Sequence, residues 1–162
     1  MAANEKQLQN AENVFNSICN MLNNINFKYE TSRREEDYVI TCTVNGDDIP
    51  MRMLIIVRPD REIVSLLSPM PFMTPEDKRV EMAMAVAVAN YGIIDGSFDY
   101  DLNDGEIRFR LTASYIESLL GEELFKYMLF VSANTVDRYN DRFMMLAKGA
   151  MTLDQFVEAD RN

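Results

Sequence analysis

The sequence predicts an α+β domain, and three observations lead there. Apolar residues recur at helical spacing near both ends and in the middle of the chain. Between those segments lie two blocks of two-residue alternation, each divided by turn signals. No Pro-rich or Gly/Ser-rich stretch divides the 162 residues, so helices and strands are expected to share one core, a single domain over 1–162. The strand blocks read as consecutive hairpins. The expected order is therefore α-βββ-α-ββ-α, an antiparallel sheet packed with helices, followed by a short last helix.

The first helix rests on Leu8, Ala11, Phe15, Ile18, Leu22 and Ile25, which recur every three or four residues and mark one face over 7–25. A mixed-charge segment, Glu30 to Asp37, leads into Tyr38, Ile40, Cys42 and Val44, which alternate with Val39, Thr41 and Thr43 as a strand does. Asn45-Gly46 is a hairpin signal. Met51 to Val57 is apolar on both sides apart from Arg52, the pattern of a central strand, and Arg58-Pro59-Asp60-Arg61 turns the chain into a third strand over 62–67. Pro69 and Pro71 break the pattern. Thr74 fits an N-cap, Pro75 the first helical position and Glu76 and Asp77 the positive end of the dipole, opening a helix that runs to Tyr91 and stops at Gly92. Its interior is apolar all round and small at Ala83, Ala85, Ala87 and Ala89, which predicts close packing on more than one side.

In the next hairpin Phe98, Tyr100 and Leu102 alternate with Asp99 and Asp101, and Ile107, Phe109 and Leu111 with Arg108 and Arg110. A two-residue turn at Asp104-Gly105 would set Asp101 opposite Arg108, Asp99 opposite Arg110 and Tyr100 opposite Phe109. Phe125, Leu129, Val136, Tyr139, Phe143 and Leu146 then follow one face of a long helix over 122–147. Thr152 and Gln155 have the spacing of a capping box and open the short helix over 152–159.

Composition excludes more than it proposes. Sixteen basic against twenty-six acidic side chains give a net charge of −10, which opposes phosphate contacts and counts against nucleic acid as a partner. Histidine is absent, and with it the commonest general base and neutral metal ligand. The longest apolar run, Met82 to Ala89, is too short for a membrane span. The segment Met1 to Glu5 lacks the basic and apolar regions of a secretory leader, so the cytoplasm is expected, with Cys19 and Cys42 as free thiols on apolar faces.

Asp99, Asp101, Asn103 and Asp104 imitate the start of a calcium loop. Asp104 stands where glycine is needed at the sixth position, and Arg110 stands where a bidentate Glu is needed at the twelfth. The six glycines are scattered, so there is no phosphate loop, and the sequence offers no nucleophile elbow and no C-x-x-C. Catalytic, cofactor and metal residues are accordingly expected to be none. The repeated Asp137-Arg138 and Asp141-Arg142 read as ion pairs on a solvated helix face. Twelve methionines are many for this length and suit either core packing or an adaptable binding surface.

Ala89-Asn90-Tyr91-Gly92 at a helix end, then Gly96 to Asp101, then Asp104 to Arg110 resemble the YbjN family of small bacterial proteins, labelled sensory transduction regulators. Ile93-Ile94-Asp95 is an insertion relative to that pattern. The resemblance implies a type III secretion chaperone-like fold, a dimer, no catalytic residues, and action by holding or regulating another polypeptide. Leu54, Ile56 and Val64, expected on the sheet face opposite Met53 and Ile55, are the candidate partner or dimer face. The alternatives are a self-associating structural protein without a client, or an enzyme using carboxylates or Tyr.

Overall fold

The computed structural model describes residues 2–118 and 120–161; Met1, at the head of the segment read as leaderless, lies outside them. Helix α1 (Glu5–Asn24) is followed by strands β1 (Tyr29–Arg34), β2 (Asp37–Asn45), β3 (Pro50–Arg58) and β4 (Ile63–Met73). Helix α2 (Arg79–Gly92), strands β5 (Ser97–Tyr100) and β6 (Glu106–Ser114), and helices α3 (Glu122–Ala147) and α4 (Leu153–Arg161) complete the chain. The architecture is α+β. The strands form one antiparallel sheet in the order β1-β2-β3-β4-β6-β5.

Strand β1 adds to the expected meander. Its side chains are almost all exposed and polar, so it carries none of the apolar alternation that marks its neighbours. Its turn puts a non-glycine, Glu35, at φ 55 with no glycine to flag it. Such a polar edge strand closes the sheet without exposing apolar side chains to other chains.

Helix α2 begins later than expected. Glu76–Lys78 form a 3₁₀ turn, and the Thr74 hydroxyl caps nothing. The Thr74 backbone instead donates to the Gly105 carbonyl at 2.9 Å. Gly105 has φ +83, and a Cβ there would collide with the Thr74 carbonyl oxygen, so two independent demands fix glycine at this turn.

The hairpin register also differs from the expected one. Asp99 stands opposite Arg108, Phe98 opposite Phe109 and Ser97 opposite Arg110, because the loop spans four residues, 102–105, rather than two. The slip is two residues, which preserves the face of every side chain. Asp101 leaves the ladder and accepts from the Asn103 N–H at 2.8 Å within the turn. Asp99 takes both arginines, with Arg110 donating two bonds of 2.8 and 2.9 Å and Arg108 one of 3.3 Å.

The core lies between the sheet and all four helices. Phe98 is its aromatic hub, with ring centroids 5.2 Å from Phe109, 5.4 Å from Tyr139 and 5.1 Å from Phe143. Phe156 stacks on Phe143 and anchors α4, whose start carries the expected capping box between Thr152 and Gln155. The Tyr139 hydroxyl donates to Asp160 at 2.6 Å; burial, then that bond, pushes it up to about 12. Both cysteines are free, and burial raises the Cys42 thiol to about 11. No helix among the described residues is long and apolar enough to cross a membrane.

Candidate protein-binding face

Strand alternation sorts the sheet's side chains onto two faces. Ile40, Met53, Ile55, Val57, Leu66 and Phe109 point toward the helices and join the core. Val39, Leu54, Ile56 and Leu67 stand on the opposite face, where Val39 is opposite Ile56, and Leu54 is opposite Thr41 and Leu67. Val39 and Ile56 are buried by sheet neighbours without belonging to the core cluster, and Leu54 and Leu67 are half-buried. The result is a small apolar strip on a face that no core helix covers.

Leu54 and Ile56 therefore lie where the sequence places them. Val64 does not. It stands opposite Val57, is fully buried and belongs to the core. The turn between β3 and β4 spans four residues, 59–62, and an even loop pairs residues of opposite parity, which sends Val64 to the helix side. Val39 and Leu67 are the members that sequence reasoning missed. The alternation in β2 carried the signal for Val39, once its pairing with Ile56 was known.

Polar groups frame the strip. Arg58 lies 3.6 Å from Asp37 and donates to the Ser65 hydroxyl at 3.2 Å, and Ser65 meets Thr112 at 3.1 Å. The Tyr115 hydroxyl donates to the Arg58 carbonyl at 3.0 Å, which steadies this end of β3. The Arg52 side chain, exposed at the other end of the strip, makes no ion pair among the described residues. The ladders place Arg34, Arg52, Arg58, Arg108 and Arg110 on this face, against Glu30, Asp37, Asp99 and Glu106. Five cations against four anions make its strand positions net +1 on a chain of −10.

Asp37 and Asp99 line one shallow groove across this face and are shifted in opposite directions. Burial raises the Asp37 carboxyl, outweighing Arg58, with Asp60, Glu35 and Glu36 adding to the rise. Burial pushes Asp99 the same way, but the Arg110 and Arg108 guanidiniums outweigh it and hold that carboxyl below its usual range. Opposed shifts are the mark of an acid–base pair. These two acids sit on β2 and β5, four strand spacings apart in the sheet, or about 19 Å. Carboxylates that act on one glycosidic bond lie within about 10 Å of each other. The Asp99 shift is that of an ion pair tying β5 to β6, and the Asp37 shift is that of partial burial among other acids. No cluster of three or more metal-ligating side chains occurs among the described residues.

A second uncovered apolar surface runs along α2. Met82, Ala85, Val86 and Ala89 are buried, whereas Val80 is 73% exposed, Met84 54% and Tyr91 97%. The expected packing on more than one side does not hold: Ala85 and Ala89 are buried on one face, while Ala83 is half-buried and Ala87 lies exposed in this open stripe.

No protein-family model matches the chain, and no curated protein matches it by sequence. By structure it is similar to the crystal structure of YbjN from E. coli, described as "a putative transcription regulator". The TM-score is 0.59 over 84% of this chain and 90% of that one, at 9% sequence identity. The fold is YbjN-like. At that identity the YbjN comparison carries the architecture, and residue roles rest on the geometry above.

Proposed function

We propose that this protein is a non-enzymatic binding or regulatory module that holds a polypeptide on its helix-free sheet face, against Leu54 and its neighbour Leu67. The observation that carries this reading is the strip of Val39, Leu54, Ile56 and Leu67, which no core helix covers. Apolar area removed from water contributes about 25 cal/mol per Å², so a side chain laid across Leu54 and Leu67 gains by docking there. The description of YbjN as a regulator agrees with such a role. With a net charge of −10, regulation would run through protein contact rather than through phosphate backbones, and the cytoplasm is the proposed place of action.

Affinity purification from the native host with wild type and Leu54→Asp tests it. The expected result is a reproducible protein client that the variant loses while its far-UV circular dichroism stays unchanged. An identical partner list for both proteins would overturn the choice of face.

A second reading, self-association, draws on the α2 stripe. Val80, Met84, Ala87 and Tyr91 are spaced four, three and four residues apart, the seam of a helix pair, and no charge interrupts them. Two copies of a strongly acidic chain meet at lowest electrostatic cost on such an uncharged surface, which favours a homodimer through α2.

A further inference from the structure

We infer that strand β1 pairs with β1 of a second copy, antiparallel and in one register, so that two sheets meet edge to edge. This contact is separate from the helix-free face and from the α2 stripe. The sheet has two edges, β5 and β1. At the β5 edge the Asn90 side chain takes up the Phe98 N–H and carbonyl. The β1 backbone, by contrast, bonds only to β2 among the described residues, and the side chains from Glu30 to Arg34 are exposed. An edge left with unpaired N–H and carbonyl groups is a template for another strand.

Symmetry and charge choose the register. When two identical strands pair antiparallel, the two-fold axis stands perpendicular to the sheet, so facing residues point to the same side and one residue faces its own copy. Centred on Ser32, the pair sets Glu30 opposite Arg34 of the second copy at both ends and Thr31 opposite Arg33. Centred on Thr31 it would face Lys28 with Arg34, and centred on Arg33 it would face Arg33 with itself and Glu30 with Glu36. Like charges directly opposite destabilise a strand pair, so the Ser32 register is favoured over both neighbours. Glu30 and Arg34 make no ion pair within the chain among the described residues, and Arg33 lies over its own Tyr38 ring at 3.7 Å. A contact along one strand of six residues is smaller than the ~1,200 Å² of a stable interface, so it forms in concentrated protein and leaves dilute Met84→Asp monomeric.

Cysteine crosslinking in concentrated protein tests the inference, run in wild type and in Met84→Asp, where the α2 stripe is interrupted. Facing residues of an antiparallel pair have Cα atoms about 4.5 to 5.5 Å apart, within the reach of a disulfide. Oxidation should link Ser32→Cys chains in both backgrounds, while Thr31→Cys, whose facing residue is Arg33, should stay near the level set by the native Cys19 and Cys42. Adding Glu30→Arg sets arginine against Arg34 at both ends and should lower the linked fraction about tenfold. Adding Arg34→Glu as well reverses both partners and should restore it. Equal linking at Ser32 and Thr31, no linking at Ser32, a yield that Glu30→Arg leaves unchanged or one that the double swap fails to restore would each overturn the inference. Such a failure leaves the helix-free face standing, which Leu54→Asp tests by loss of its client.

Discussion

The Asn90 side chain closes one edge of the sheet. Its amide oxygen accepts from the Phe98 N–H at 2.7 Å and its amide nitrogen donates to the Phe98 carbonyl at 3.0 Å, so a residue near the end of α2 stands in for a further strand beside β5. Asn90→Ala leaves both backbone groups unpaired next to the aromatic hub and should cost about 2 kcal/mol in urea unfolding. Asn90→Asp keeps the acceptor and loses the donor, and should cost less than the alanine variant. Equal stability of all three proteins would contradict the clamp.

Two glycines should respond in opposite directions. Gly105→Ala must hold φ +83 and push against Thr74, and should lose about 2 kcal/mol or more. Gly92 ends α2 outside the left-handed region, where a Cβ would meet nothing nearer than the Asp160 carboxylate at 4.0 Å, so Gly92→Ala should gain about 0.5 kcal/mol from helix propensity. Chemical denaturation of both variants beside wild type reads the contrast.

What was legible in the sequence was what is local. The Thr152–Gln155 box and the span of α3 are each decided within a few residues or by one repeating face, and both stand as read. The hairpin register was not legible, since slips of two keep Asp99 and the two arginines on one face and the tight backbone at Gly105 decides between them. Val64 required the length of the loop at 59–62, which fixes parity. Met51 to Val57 is apolar on both sides, so no pattern within it tells which face the helices cover. That distinction emerges only when Ile55 is found in the core and Ile56 outside it.

Acid should relieve a repulsion at the turn between β2 and β3. The Asp141 carboxylate facing Asp48 raises the Asp48 carboxyl, with smaller contributions from burial, Asp137, a bond to Asp141 and Asp47. A raised carboxyl holds its proton more tightly folded than unfolded, so its penalty is absent below the unfolded value and develops as pH rises through the folded one. Asp48→Asn should therefore melt higher than wild type at neutral pH, with the gain fading toward about pH 3. A gain independent of pH would contradict the pairing.

Self-association through α2 makes a prediction of its own. Wild type should sediment as a dimer whose melting temperature falls on dilution, and Met84→Asp, at an exposed position, should sediment as a folded monomer. A wild type that stays monomeric throughout would remove the second reading and leave the sheet face untouched.

The central claim is that the helix-free sheet face is where a polypeptide is held, and site-specific photo-crosslinking in the native host tests it most directly. A photoreactive side chain at Leu54 should yield a discrete protein adduct that Leu67→Asp, at a half-buried position, abolishes, while the same group at Asn13 on the exposed side of α1 should not. Identical adducts from both positions, or none from Leu54 while the client still co-purifies, would contradict it.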